Sequence, residues 1–245
     1  MDFEPYLLYF LIFLISTVGS AIQAASGFGY GIFVMSVLPF FVPYGDALCA
    51  VGIIAIFTSI MIAARYRRFI DYRIVLVPVL TNFVFSAAGT YFLKNQADDF
   101  MKRVLGAVLI ALSIYLLFLS DRVRVKANTA TGIAAGALGG TLGSVFGMGG
   151  PPIVIYLLSA TVATEAYLAN LQLYFFLTNI YTSCVRAMNG LMNMNVLIYT
   201  ACGCLGISFG ARVGHAVFRR LDIASLRRMV YAFMIVTGMA LLIWA

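Results

Sequence analysis

The sequence predicts an all-α polytopic membrane protein built from two inverted repeats. Each repeat is a Gly-broken first helical segment followed by three transmembrane helices. Three observations carry this. The 245 residues are 63% hydrophobic and only 10% charged, with a mean hydropathy of +1.00, whereas a soluble domain is about a quarter charged. The few charges leave long neutral runs between them. Those runs come in two similar sets, each opened by the same glycine motif. Such a chain cannot clothe a soluble enzyme in polar surface. Helices are read rather than barrel strands because 53–56 and 108–112 are apolar on every face, where barrel strands alternate.

Taken in order, no charge lies between Glu4 and Asp46, a run of 41 residues, and runs of 18 (47–64), 20 (74–93) and 17 (104–120) follow. The second set has 38 (127–164), 20 (166–185), 25 (187–211) and 17 (229–245). A helix crossing the hydrocarbon needs about 20 apolar residues. Six runs therefore fit one helix each, and the first run of each set is about twice too long for one. Asp2 and Glu4 stand where a cleaved signal would carry positive charge, so the first helix is expected to stay in the mature protein. Cys49, Cys184, Cys202 and Cys204 lie inside apolar runs, where they read as small packing residues rather than disulfide partners or metal ligands.

The two sets align residue by residue. Gly27-Phe28-Gly29 returns as Gly147-Met148-Gly149, Gly19 as Gly139, Arg65 as Arg186 and Gly89 as Gly210. Met101-Lys102-Arg103-Val104 returns as Leu226-Arg227-Arg228-Met229. The repeats are placed at 1–124 and 125–245, joined by the basic stretch Asp121–Lys126. Positive charge decides their relative direction. If each half crossed four times, the 16 Lys and Arg would divide evenly between the two sides. If each long first run folds back on itself, one side collects twelve and the other keeps only Lys94, Lys102, Arg103 and Arg186. That bias selects inverted halves with both termini external.

Each long run breaks near its middle, at Ser26-Gly27-Phe28-Gly29-Tyr30-Gly31 and at Gly147-Met148-Gly149-Gly150-Pro151-Pro152. Glycine costs about 1 kcal/mol inside a helix, and proline suits a helix's first turn. Both motifs therefore read as a stop followed by a new start. A helix start presents free N–H groups and about half a unit of positive charge, which is an anion site made of backbone. Paired breaks in two inverted halves are the sequence pointer to a transporter site. The candidate substrate-binding residues are Gln23, Ser26, Gly27, Phe28, Gly29, Gly147, Met148, Gly149, Gly150 and Pro151, with the two breaks expected to meet around an anion. The alternative is close helix packing through small residues, which suits Gly132, Gly136, Gly139, Gly140 and Gly143. Arg65 and Arg186 are candidates for attracting an anion at either side, or for snorkelling to the headgroups. Arg212 and His215 lie one turn apart on a helix face and are candidates for a gate. Asp46 and Glu165 suit helix starts. No carboxylate sits in mid-membrane, so proton coupling is not visible. One His and no acidic partner for it argue against catalysis, and no metal, cofactor or nucleic-acid site is read.

Over essentially the whole chain this pattern resembles the TauE/SafE family of bacterial anion exporters. The resemblance rests on Gln23-Ala24-Ala25-Ser26-Gly27-Phe28-Gly29-Tyr30-Gly31 and on Gly147-Met148-Gly149-Gly150-Pro151-Pro152. Asp71-Tyr72-Arg73 and the stretch from Gly206 to Gly214 before Leu226-Arg227-Arg228 also fit. It implies export of sulfite, sulfoacetate or related sulfur oxyanions from the bacterial inner membrane, or organosulfonate uptake. The expected function is a secondary transporter of small sulfur-containing anions, working by alternating access in the lipid bilayer. An anion channel, or a carrier for another small organic anion, is the alternative.

Overall fold

The computed structural model describes residues 5–118, 125–218 and 223–244, with side chains for all of these except 5, 25, 26, 211–218 and 223–227. The described residues are helical and contain no strand. The first long run becomes α1 (Pro5–Ser26) and the short α2 (Tyr30–Val37), followed by a 3-10 turn at Leu38–Phe40. The next three runs become α3 (Tyr44–Arg65), α4 (Tyr72–Lys94) and α5 (Asp98–Phe118). The order then repeats as α6 (Thr129–Phe146), α7 (Gly150–Ala160), α8 (Thr164–Met188), α9 (Met194–Phe218) and α10 (Ile223–Trp244). Among the described residues, Tyr6–Ala24 of α1, and all of α3, α4 and α5, are long and apolar enough to cross a membrane. At about 1.5 Å per residue, α2 and α7 are too short to cross a core of about 30 Å alone.

The chain forms two compact units that interleave its halves. Unit 1 holds Met1–Ile54, Gln96–Asp121 and Met192–Ala245; unit 2 holds Ala55–Asn95 and Arg122–Leu191.

In unit 1, α1 lies on α9 and α5 lies on α10, both through glycines. A Cβ on Gly206 would stand 2.5 Å from the Phe13 carbonyl oxygen, and one on Gly210 would strike Ser20 and Thr17. Gly106 and Gly238 abut each other's carbonyls in the same way. Such close backbones are how helices associate in lipid, where there is no hydrophobic drive between them. Helix starts are tied by side chains. Asn193 caps α9, accepting from the Val196 N–H at 3.0 Å, and donates to Asp46 Oδ1 at 2.7 Å in the first turn of α3. Asp98 accepts from the Tyr44 N–H at 2.6 Å and pairs with Lys102 at 2.8 Å.

In unit 2, α4 lies on α6. Gly136 and Gly140 of α6 meet the backbone of Pro78 and Asn82, and Gly89 of α4 meets Ser144. Pro78 sits inside α4 and cannot donate to the Ile74 carbonyl four residues back. The Tyr156 hydroxyl of α7 donates to that carbonyl instead, at 3.4 Å. Asp71 caps α4 through the Arg73 N–H, and its own N–H is held at 2.8 Å by Asn170. Asn170 is fully buried, not interfacial as its place near a helix start suggests.

Large apolar side chains such as Leu7, Phe10 and Leu14 of α1, and Leu76, Leu80 and Val84 of α4, are exposed. Water would penalise such faces, whereas lipid tails accept them.

Candidate functional site

In both halves the break is a hairpin tip. Gly19 of α1 lies against Val34 and Tyr30 of α2. Gly132, Gly139 and Gly143 of α6 lie against Tyr156 and Gly149. The short helix thus runs back along the long one, and each long neutral run does fold back on itself. The turn needs glycine at corresponding places, since Gly27 has φ 80 and Gly147 has φ 71. At Gly147 the chain leaves α6 with its N–H on Gly143, and the Met148 N–H reaches the Leu142 carbonyl. Phe28 and Met148, the matched residues at the two tips, are both buried.

Beyond the tips the breaks differ. Gly29 is left-handed at φ 108, while Gly149 has φ −69. The first-turn N–H groups of a helix have no partner within it. In α2 these belong to Tyr30, Gly31 and Ile32. In α7 only Gly150 contributes one, because Pro151 and Pro152 carry none. A Cβ on Gly149 would stand 2.6 Å from the Gly139 carbonyl oxygen. Gly149 is therefore a packing residue, the reading the sequence offers beside that of an anion site.

Gln23 is buried at 4% exposure one turn before the first tip, and its carbonyl accepts from the Gly27 N–H at 2.8 Å. Pro151 and Gly150 are buried at the second. The side chain of Ser26 lies outside the described residues, as do those of Arg212 and His215 near the end of α9.

The two matched arginines part company. Arg65 ends α3 exposed, its guanidinium 5.9 Å from the centre of the Tyr66 ring. Arg186 is buried at 2% exposure. Its Nη2 donates to the Ser144 carbonyl at 2.8 Å and the Gly143 carbonyl at 3.3 Å. Both are last-turn carbonyls of α6: Gly143 keeps the Gly147 N–H at 3.1 Å, whereas Ser144 loses its helical partner because the Met148 N–H turns to Leu142. A cation also suits the negative end of a helix. Arg186 thus secures the second hairpin.

Two buried tyrosines, Tyr30 and Tyr174, lie outside the candidate residues read from the sequence. Tyr30 packs on Gly19 and shares a hydrogen bond with Ser16 at 3.2 Å. Tyr174 of α8 rests its hydroxyl on Gly139, the repeat mate of Gly19, and accepts from Asn82 Nδ2 at 2.7 Å. Each of these matched glycines is thus covered by a phenol, brought from α2 in unit 1 and from α8 in unit 2. The available signal was the glycine repeat, which marks where something large must fit.

Among the described residues no group of His, Cys, Asp or Glu is arranged to hold a metal. A family model described as sulfite exporter TauE/SafE matches residues 11–241. The chain is also 21% identical over 230 residues to a Cupriavidus necator protein described as a probable sulfite/organosulfonate exporter TauE. That alignment covers 92% of this chain and 90% of the relative. No solved structure matches the chain. Both descriptions are of exporters, not enzymes. The chain belongs to the sulfite exporter TauE/SafE family.

Proposed function

We propose that this protein is a secondary transporter that exports small sulfur-containing anions, of the sulfite or organosulfonate class, across the bacterial inner membrane. The observation that carries the reading is the family match across residues 11–241. The breaks give it chemistry. Each break offers donors of its own: the N–H groups of Tyr30, Gly31 and Ile32 at the start of α2, and that of Gly150 at the start of α7, suit an anion's oxygens. Neither break motif contains a carboxylate that would repel it. Transport proceeds by alternating access of two inverted repeats, 1–124 and 125–245, with both termini external.

Two features support the repeat arrangement. The five-helix order recurs. The helix pairings also exchange, since α1 pairs with α9 while its mate α6 pairs with α4, the mate of α9. A pseudo-twofold relation produces such an exchange.

The test is counterflow of radiolabelled sulfite in proteoliposomes of the full chain. A carrier gives saturable flux and accelerated exchange when unlabelled sulfite is loaded on the far side. Flux that rises linearly with sulfite and shows no exchange would replace the carrier with a channel. Liposomes no more permeable than protein-free ones would overturn the substrate assignment.

A further inference from the structure

We propose that Asn82, oriented by Tyr174, forms the side-chain part of the anion site in unit 2, its amide supplying hydrogen-bond donors where Pro151 and Pro152 remove them. The inference rests on the transporter reading above and assigns residues that the breaks alone do not.

The geometry is as follows. Asn82 is 3% exposed and Tyr174 is 1% exposed. The amide ends on the Tyr174 hydroxyl at 2.7 Å. That hydroxyl and the Gly149 carbonyl abut the same face of Gly139, where a Cβ would meet them at 2.6 and 3.2 Å. The amide thus ends on a hydroxyl that lies beside the start of α7. Asn82 Oδ1 is buried with no hydrogen-bond partner, an arrangement that proteins seldom keep without a use for it. The two amide positions are related by a flip that the heavy atoms do not distinguish. Turned over, the amide oxygen accepts the Tyr174 proton, and both N–H bonds are free to donate. An oxyanion beside Gly149 selects that orientation, because it needs donors and offers none.

The equivalent place in unit 1 shows that the fold does not require the amide. Asn82 corresponds to Gly203 at the repeat spacing that relates Gly89 to Gly210. A Cβ on Gly203 would strike the Ile54 side chain. The phenol there, Tyr30, is satisfied by Ser16. A buried tyrosine is common to both hairpins, whereas the Asn82 amide, with its unsatisfied oxygen, has only Gly203 as its counterpart. The division of donors follows the prolines. The α2 start has three first-turn N–H groups, and the α7 start has one with the Asn82 amide beside it. All these donors are neutral, which suits an anion that must be released again.

The experiment is equilibrium binding of radiolabelled sulfite to the purified full chain in nanodiscs. It compares wild type with Asn82→Leu, Tyr174→Phe and, as a control, Asn179→Leu. Asn179 is half-buried and bonds its own helix at the Phe175 carbonyl. Asn82→Leu keeps the shape and removes the donors. The expected result is sulfite affinity at least about tenfold weaker in Asn82→Leu and about threefold or more weaker in Tyr174→Phe, with the control within about twofold. Sulfite should also raise the melting temperature of wild type and control more than that of the two variants, which a merely structural role would not produce. If Asn82→Leu does not fold, Tyr174→Phe decides alone. Wild-type affinity in both folded variants overturns the inference and leaves the transporter reading standing. Failure of wild type to bind sulfite overturns both.

Discussion

Replacing Arg186 by Met removes the guanidinium and keeps most of the stem, so it isolates what the charge does at the second break. Arg186 holds two carbonyls. Gly143 keeps a second donor, the Gly147 N–H at 3.1 Å, and its contact with Arg186 is the longer one, so little is lost there. Ser144 loses a charge-assisted bond of 2.8 Å, a type worth about 1.5–3 kcal/mol. The helix end loses a partly buried counter-charge worth up to about 2 kcal/mol. Against these, a buried cation no longer has to be desolvated, which returns part of the sum. A net loss of about 2 kcal/mol follows, or about 4–8 °C in melting temperature at this chain length. Arg186→Lys retains the charge but not the fork, and should recover about half of the loss. The assay is thermal unfolding in detergent followed by size-exclusion chromatography, with sulfite binding measured below the transition. If Arg186→Met melts within about 1 °C of wild type, the capping account is wrong. A variant of unchanged stability that no longer binds sulfite would make Arg186 a substrate contact instead.

Other expectations follow from the packing. Gly136→Ala places a methyl against the Pro78 carbonyl and should destabilise the α4–α6 pair by about 1–3 kcal/mol, seen as a lower melting temperature. Gly45→Ala, in the first turn of α3 with nothing within 4 Å of the new carbon, should instead stabilise by about 0.5 kcal/mol through helix propensity. Asn193→Ala removes the cap of α9 and the partner of Asp46. It should cost about 1–2 kcal/mol, and exchange of the Val196 amide with deuterium should quicken.

Much of the fold was legible because lipid forbids unpaired backbone, so every long neutral run had to be a helix. The stretch between Arg73 and Lys94 became α4, and the two over-long runs each became a long helix with a short one returning along it. The glycine repeat located the tips, and Gly27 and Gly147 share a positive φ. Pairing between helices was not legible. Gly206 says that something comes close, and only the fold says that it is Phe13 and not another turn of chain. Arg186 was misleading for the same reason. A lone cation at the end of a neutral run reads as a loop charge until a neighbouring helix is seen to end in front of it with its carbonyls free. Tyr174 and Asn82 lie 92 residues apart, and nothing in either stretch points to the other.

The central claim is that backbone N–H groups at the breaks hold the anion. Its most direct test is a sulfite titration of the full chain labelled with 15N-glycine, read as amide chemical shifts. Gly29 and Gly31, or Gly149 and Gly150, should shift saturably, while Gly45 and Gly190, outside both break motifs, stay in place. Sulfite that binds while the four break glycines remain still would contradict the claim and put the site elsewhere in the protein.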